Sequence, residues 1–179
     1  MTVWIALFRG INVGGRNSLA MKDLKELLEA SGYLAVKTYI QSGNVTFQRT
    51  RSDAKKLPER VGKAVLASHG FRPAAIVMSL TELEQAVAAN PFPDAQLEPK
   101  SLHFYFLENS PKQLAQAELN ARKAKTESFA IVGNVFYLHA PEGIGRSKLA
   151  ASAEKLLGVD ATARNWRTVS KLLELARDV

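Results

Sequence analysis

At 179 residues, 46% of them hydrophobic and 23% charged, the chain has globular proportions that argue against disorder and leave room for one large core or two small ones. It has no cysteine, which excludes disulfides and thiolate metal sites. The N-terminal apolar run Val3–Phe8 is too short to span a bilayer and precedes its arginine, unlike a signal peptide, so a soluble cytoplasmic protein with no membrane partner is expected. A formal charge of +7, from 24 Lys and Arg against 17 Asp and Glu, favours an anionic partner without requiring a polymer.

Val3–Phe8 reads as the first strand, followed by the glycine-rich stretch RGINVGGRNS, Arg9–Ser18, and a helix over Met21–Ala30. Met21, Leu24, Leu27 and Leu28 recur there at helical spacing. The glycine stretch approaches the phosphate-loop pattern G-x4-G-K-[ST], with Arg16 where the lysine belongs and Asn17 where the magnesium-binding hydroxyl belongs. An arginine still clamps phosphate, but Asn17 is a poor metal ligand, and a nucleotide triphosphatase is disfavoured. Two readings stay open: a turn with Ser18 capping the helix, or a loop whose backbone N–H groups receive an anion.

A hairpin is expected over Val36–Gln48 with Gly43-Asn44 as its two-residue turn, then a helix over Ala54–Ala67 with Leu57, Val61, Ala64 and Val65 on one face, and a strand at Ala74–Met78. Thr81…Glu84 reads as a capping box opening a further helix, and the proline-rich ANPFPDAQLEPKS as a linker. The order then repeats: strand Leu102–Leu107, helix Lys112–Lys123 behind a Ser110-Pro111 start, hairpin Phe129–His139 around Gly133-Asn134, helix Lys148–Leu157, strand Ala161–Arg164 and a last helix from Trp166. This is βαββαβ twice, an α+β chain of duplicated ferredoxin-like halves, each followed by a helix. The expected division is 1–88 for the first half, 89–101 for the linker, and 102–179 for the second half with its C-terminal helix.

PEGIGRSK, Pro141–Lys148, precedes a helix with Ser147 as its N-cap, so free N–H groups, the helix dipole, Arg146 and Lys148 converge there. An anion pocket and a plain capped turn both fit. In TARNWRTVSKL, Arg167 and Lys171 share a helix face, where a solvated surface explains them as well as an anion does. His69, His103 and His139 lack metal-ligand spacing, and no metal site or cofactor is expected. Carboxylates are missing from Arg9–Ser18, Gln41–Asn44 and Thr162–Lys171, while Glu142 sits beside the second glycine turn as the one acid an enzyme could borrow.

RGINVGGRN, TYIQSGNV, GRSKL and TARNWRTVSKL together resemble the four signature blocks of the bacterial family called domain of unknown function 1697, over Leu7 to Leu175. The resemblance implies a duplicated ferredoxin-like α+β fold and does not imply a reaction. Three of the four blocks are basic and polar, carry Gly or Asn at turns and lack acids, which is the vocabulary of anion recognition. The expected ligand-binding residues are Arg9, Asn12, Gly14, Gly15, Asn17, Ser42, Asn44, Arg146, Ser147, Lys148, Arg164 and Asn165. The leading reading is a binding protein for a small phosphate-bearing or other anionic ligand. Alternatives are single-stranded nucleic acid, stacked on Phe104, Phe106, Phe129 and Phe136 of an open sheet, or a small transferase or hydrolase.

Overall fold

A computed structural model describes residues 1–179. Each half is a split βαβ unit. Strand β1 (Thr2–Arg9), helix α1 (Met21–Ala30), strands β2 (Leu34–Tyr39) and β3 (Asn44–Arg49), a helical turn α2 (Arg51–Ala54), helix α3 (Leu57–His69) and strand β4 (Ala74–Ser79) come first. Helix α4 (Leu80–Ala88) and a 3-10 turn at Pro93–Leu97 follow. Then come β5 (Leu102–Leu107), α5 (Gln116–Arg122), β6 (Ser128–Val132), β7 (Val135–His139), a second 3-10 turn at Ile144–Arg146, α6 (Lys148–Leu157), β8 (Ala161–Asn165) and α7 (Trp166–Arg177). The sheets have equivalent orders, β2-β3-β1-β4 and β6-β7-β5-β8, and every neighbouring pair is antiparallel. Two compact units result: Met1–Gln85 with Lys171–Val179, and Ala86–Ser170.

Strand alternation sets the cores. In the first unit Trp4, Ala6, Phe8, Val45 and Phe47 point to one face, where Leu24 and Leu28 of α1 and Leu57, Val61 and Val65 of α3 cover them. In the second, Tyr105, Leu107, Phe136 and Leu138 meet Leu119 of α5 and Leu149, Ala153 and Leu157 of α6. Burying a side chain of this size contributes about 1.5–3 kcal/mol, so these faces dominate the stability of each unit.

Pairing register aligns the units residue by residue. Leu7 lies opposite Asn44 and Ile76, and Phe106 lies opposite Val135 and Thr162. Gly43 is therefore equivalent to Asn134, and the Gly-Asn pairs are offset by one position. The Phe8 N–H donates to the Gly43 carbonyl at 2.7 Å, and the Leu107 N–H to the Asn134 carbonyl at 2.9 Å.

Several expected boundaries are corrected. Gly43-Asn44 is not a two-residue turn: the connection is Ile40–Gly43, and Asn44 is already in β3, opposite Tyr39. Gly133-Asn134 does form the tight turn, between paired Val132 and Val135. Only Gly133 has positive φ there, as a type II′ turn requires. The Ala54–Ala67 helix starts at Leu57, with Pro58 in its first turn, and the Lys112–Lys123 helix starts at Gln116. Ser110 does not cap it, because its hydroxyl donates to the Asn134 side-chain oxygen instead. Ser18 does not cap α1, whose N-cap is Ala20. The capping box of α4 is Ser79…Glu82, not Thr81…Glu84: the Ser79 N–H donates to Glu82 Oε2 at 2.6 Å and the Glu82 N–H to Ser79 Oγ at 3.2 Å. No helix is long and apolar enough to cross a membrane.

Candidate functional site

The first two sequence blocks come together in the first unit, and their polar groups are largely committed to one another. Gly14 and Gly15, at φ +58° and +73°, form the tip of a small hairpin. The Arg16 N–H donates to the Val13 carbonyl and the Asn12 N–H to the Asn17 carbonyl, each at 3.1 Å. Two successive positive φ values are the pattern of a type I′ turn, which glycines adopt without strain. Asn12 Oδ1 accepts from the Leu19 N–H, and its Nδ2 donates to the Leu19 and Gln41 carbonyls, all at 2.8 Å. Asn17 Nδ2 donates to the Gly10 carbonyl at 2.8 Å. Asn44 is fully buried and donates to Ser42 Oγ at 2.9 Å and the Tyr39 carbonyl at 3.1 Å. Arg9 is half-buried at the end of β1.

In the second unit Asn165 caps α7, its Oδ1 accepting from the Thr168 N–H at 3.1 Å. Arg164 lies on β8 opposite Phe104, its guanidinium donating to the Ala163 carbonyl at 2.8 Å and Thr162 Oγ1 at 3.3 Å. Burial lowers its pKa to about 10. Ser147 caps α6 as its sequence position predicts, Oγ accepting from the Ala150 N–H at 2.9 Å. With the Ala151 N–H on the Ser147 carbonyl, the N–H groups of Lys148 and Leu149 are left as the open donors of this helix start.

That helix start opens into a pocket of about 340 Å³ between the end of α5 and the Glu142–Lys148 turn. Four cations line it, Arg122, Lys123, Arg146 and Lys148, with two carboxylates, Glu127 and Glu142. Arg122 donates to Ser152 Oγ at 3.3 Å and Lys123 to the Glu127 carbonyl at 3.0 Å. Thr126 Oγ1 donates to Glu142 Oε1 at 3.0 Å. Arg146, Ser147 and Lys148, which the sequence singles out at this helix start, all line the pocket. Arg122, Thr126 and Glu127 were not singled out, although the basic run Arg122, Lys123, Lys125 was a visible signal.

Phe104, Phe106 and Phe136 are buried, and half-buried Phe129 stacks on Phe136 with centroids 5.5 Å apart. Trp166 stacks on Phe104 at 5.8 Å. The aromatics that would stack bases are core residues. Three neighbours outside the pocket imitate a nucleophilic triad: Ser68 Oγ lies 2.7 Å from His69 Nδ1, and His69 Nε2 lies 3.7 Å from Asp23 Oδ2. The Ser68 hydroxyl also donates to the Ala64 carbonyl at 2.9 Å, and with its proton there Nδ1 is the donor to Ser68 and not its base. No group of three His, Asp or Glu side chains is placed to hold a metal.

The sequence matches the family described as Protein of unknown function (DUF1697) over residues 1–137, and the chain belongs to that family. No curated protein matches it in sequence. Among solved structures, the conserved bacterial protein SP0830 from Streptococcus pneumoniae aligns over 98% of both chains with a TM-score of 0.65 at 23% identity, a likeness that shows the fold alone.

Proposed function

We propose that this member of the DUF1697 family binds a small phosphate-bearing or otherwise anionic ligand in the pocket where α6 begins. One observation carries the reading: Arg146 and Lys148 line that pocket beside Arg122 and Lys123, and neither has an ion-pair partner. Four cations against two carboxylates leave the pocket lining net positive, and an anion placed beside Arg146 and Lys148 is attracted there. The open N–H groups of Lys148 and Leu149 and the α6 dipole add donors and a favourable field at the same place. A pocket of about 340 Å³ suits a metabolite rather than a polymer. The reading includes a cytoplasmic location, where phosphorylated metabolites are available.

Thermal unfolding of the wild type and of Arg146→Ala, with and without inorganic phosphate, tests it. Phosphate raises the wild-type midpoint, because a ligand bound only by the native state stabilises it. The response of Arg146→Ala is smaller, while its stability without phosphate stays within about 0.5 kcal/mol of wild type, as for a surface substitution. Equal phosphate responses would overturn the proposal.

A further inference from the structure

The same pocket holds two carboxylates that a purely anionic ligand leaves unused. Glu127 is only 5% exposed, yet it lines the pocket. The Ala124 N–H donates to its Oε2 at 2.9 Å, and the Glu127 N–H returns to the Ala124 carbonyl at 3.1 Å. Oε1 takes no hydrogen bond. Glu127 forms no ion pair, so beyond the Ala124 N–H its carboxylate has an oxygen left to accept from a cation in the pocket. Its charge also acts on Tyr105, whose hydroxyl is pushed up to about 12, first by burial and then by Glu127. Glu142 offers a second open oxygen, since Thr126 occupies only its Oε1.

We infer that the pocket selects a zwitterion, a small phosphate ester carrying an ammonium group. The anion sits at Arg146, Lys148 and the α6 start, and the ammonium at Glu127 and Glu142. This rests on the anion reading of the same pocket and goes beyond it. A simple phosphate ester gains the cations but meets repulsion from both carboxylates. An added ammonium turns that repulsion into charge-assisted hydrogen bonds, which are roughly twice as strong as neutral ones.

Calorimetric titration of the full chain with ethyl phosphate, 2-hydroxyethyl phosphate and O-phosphoethanolamine tests the inference. O-phosphoethanolamine is expected to bind about tenfold more tightly than the other two, which corresponds to about 1.4 kcal/mol. Glu127→Gln brings that ratio toward one by weakening O-phosphoethanolamine. Should Glu127→Gln fail to fold, Glu142→Gln, at an exposed position, reduces the same ratio. If 2-hydroxyethyl phosphate binds as tightly as the amine, or if all three bind alike, the zwitterion inference is overturned while the anion reading stands. If none binds at millimolar concentration, both are overturned.

Discussion

Asn12 holds Leu19 by both of its backbone groups, accepting from its N–H and donating to its carbonyl at 2.8 Å each, and thereby closes the glycine hairpin onto the chain that enters α1. The same amide nitrogen reaches the Gln41 carbonyl. The two sequence blocks thus fasten a corner of the first unit.

Asn12→Ala is therefore expected to destabilise the protein by about 2 kcal/mol, since three hydrogen bonds go and the residue keeps a φ of +54° that alanine disfavours. Asn12→Asp keeps the acceptor for the Leu19 N–H but faces two carbonyls with a charge, and should be at least as damaging. Urea unfolding of both variants measures this. A loss below about 0.5 kcal/mol would mean the clamp is dispensable.

The glycines of the two hairpins should respond unequally to alanine. At Gly43, with φ +72°, an added Cβ would lie 2.5 Å from Phe8 Cβ and 2.6 Å from Ile11 Cδ1, so left-handed strain adds to overpacking for a loss of about 3 kcal/mol. At Gly133, with φ +57°, the Cβ meets nothing within 4 Å, and only the backbone strain of about 1 kcal/mol remains. Equal losses in denaturant unfolding would contradict the packing around Gly43.

Ser147→Ala and Asn165→Ala should each cost about 1 kcal/mol without any ligand, because each side chain caps a helix by accepting a backbone N–H. Unfolding midpoints in phosphate-free buffer check this. If Asn165→Ala is neutral there but weakens phosphate binding, Asn165 belongs with the ligand rather than with α7.

His103 gives stability a dependence on pH. Burial lowers its pKa below 6.5, opposed only by the nearby Ser101 backbone, and its Nδ1 has no hydrogen-bond partner. The unfolded chain takes up a proton on this ring near pH 6.5, while the folded chain does so only at lower pH. The contribution is thus constant above 6.5 and is lost as pH falls from there through the folded value. His103→Phe should flatten unfolding free energy over that window, and an unchanged slope would assign it to other groups.

Much of the architecture was written locally. Helix α6 begins and ends where the sequence places it, because Ser147 supplies the cap and Gly158, at φ +66°, the left-handed stop. The duplication was visible as well, since strand alternation and apolar helix spacing recur in the same order whatever packs on them. Where side chains had a choice of partners, local patterns misled. Ser110 has the chemistry of a cap, but Asn134, distant in sequence, takes its hydroxyl. Thr81 and Ser79 both precede a glutamate by three residues, and β4 runs on to Ser79, so the box closes there. Gly43 and Gly133 belong to the same tripeptide, Gly-Asn-Val, yet the packing of Phe8 and Ile11 against Gly43 accompanies a longer connection in the first hairpin.

The candidate site divides in the same way. Arg146, Ser147 and Lys148 could be read from sequence because a helix start advertises its open donors within a few residues. Arg122 and Glu127 could not, because they enter the pocket only when the end of α5 packs beside the start of α6, and that contact belongs to the tertiary fold. Conversely, Asn12, Asn17 and Asn44 looked like ligand contacts because an asparagine amide serves a ligand and a backbone equally well. Only the folded chain brings carbonyls of Gly10, Leu19, Tyr39 and Gln41 within reach of these amides, so that each also serves the backbone.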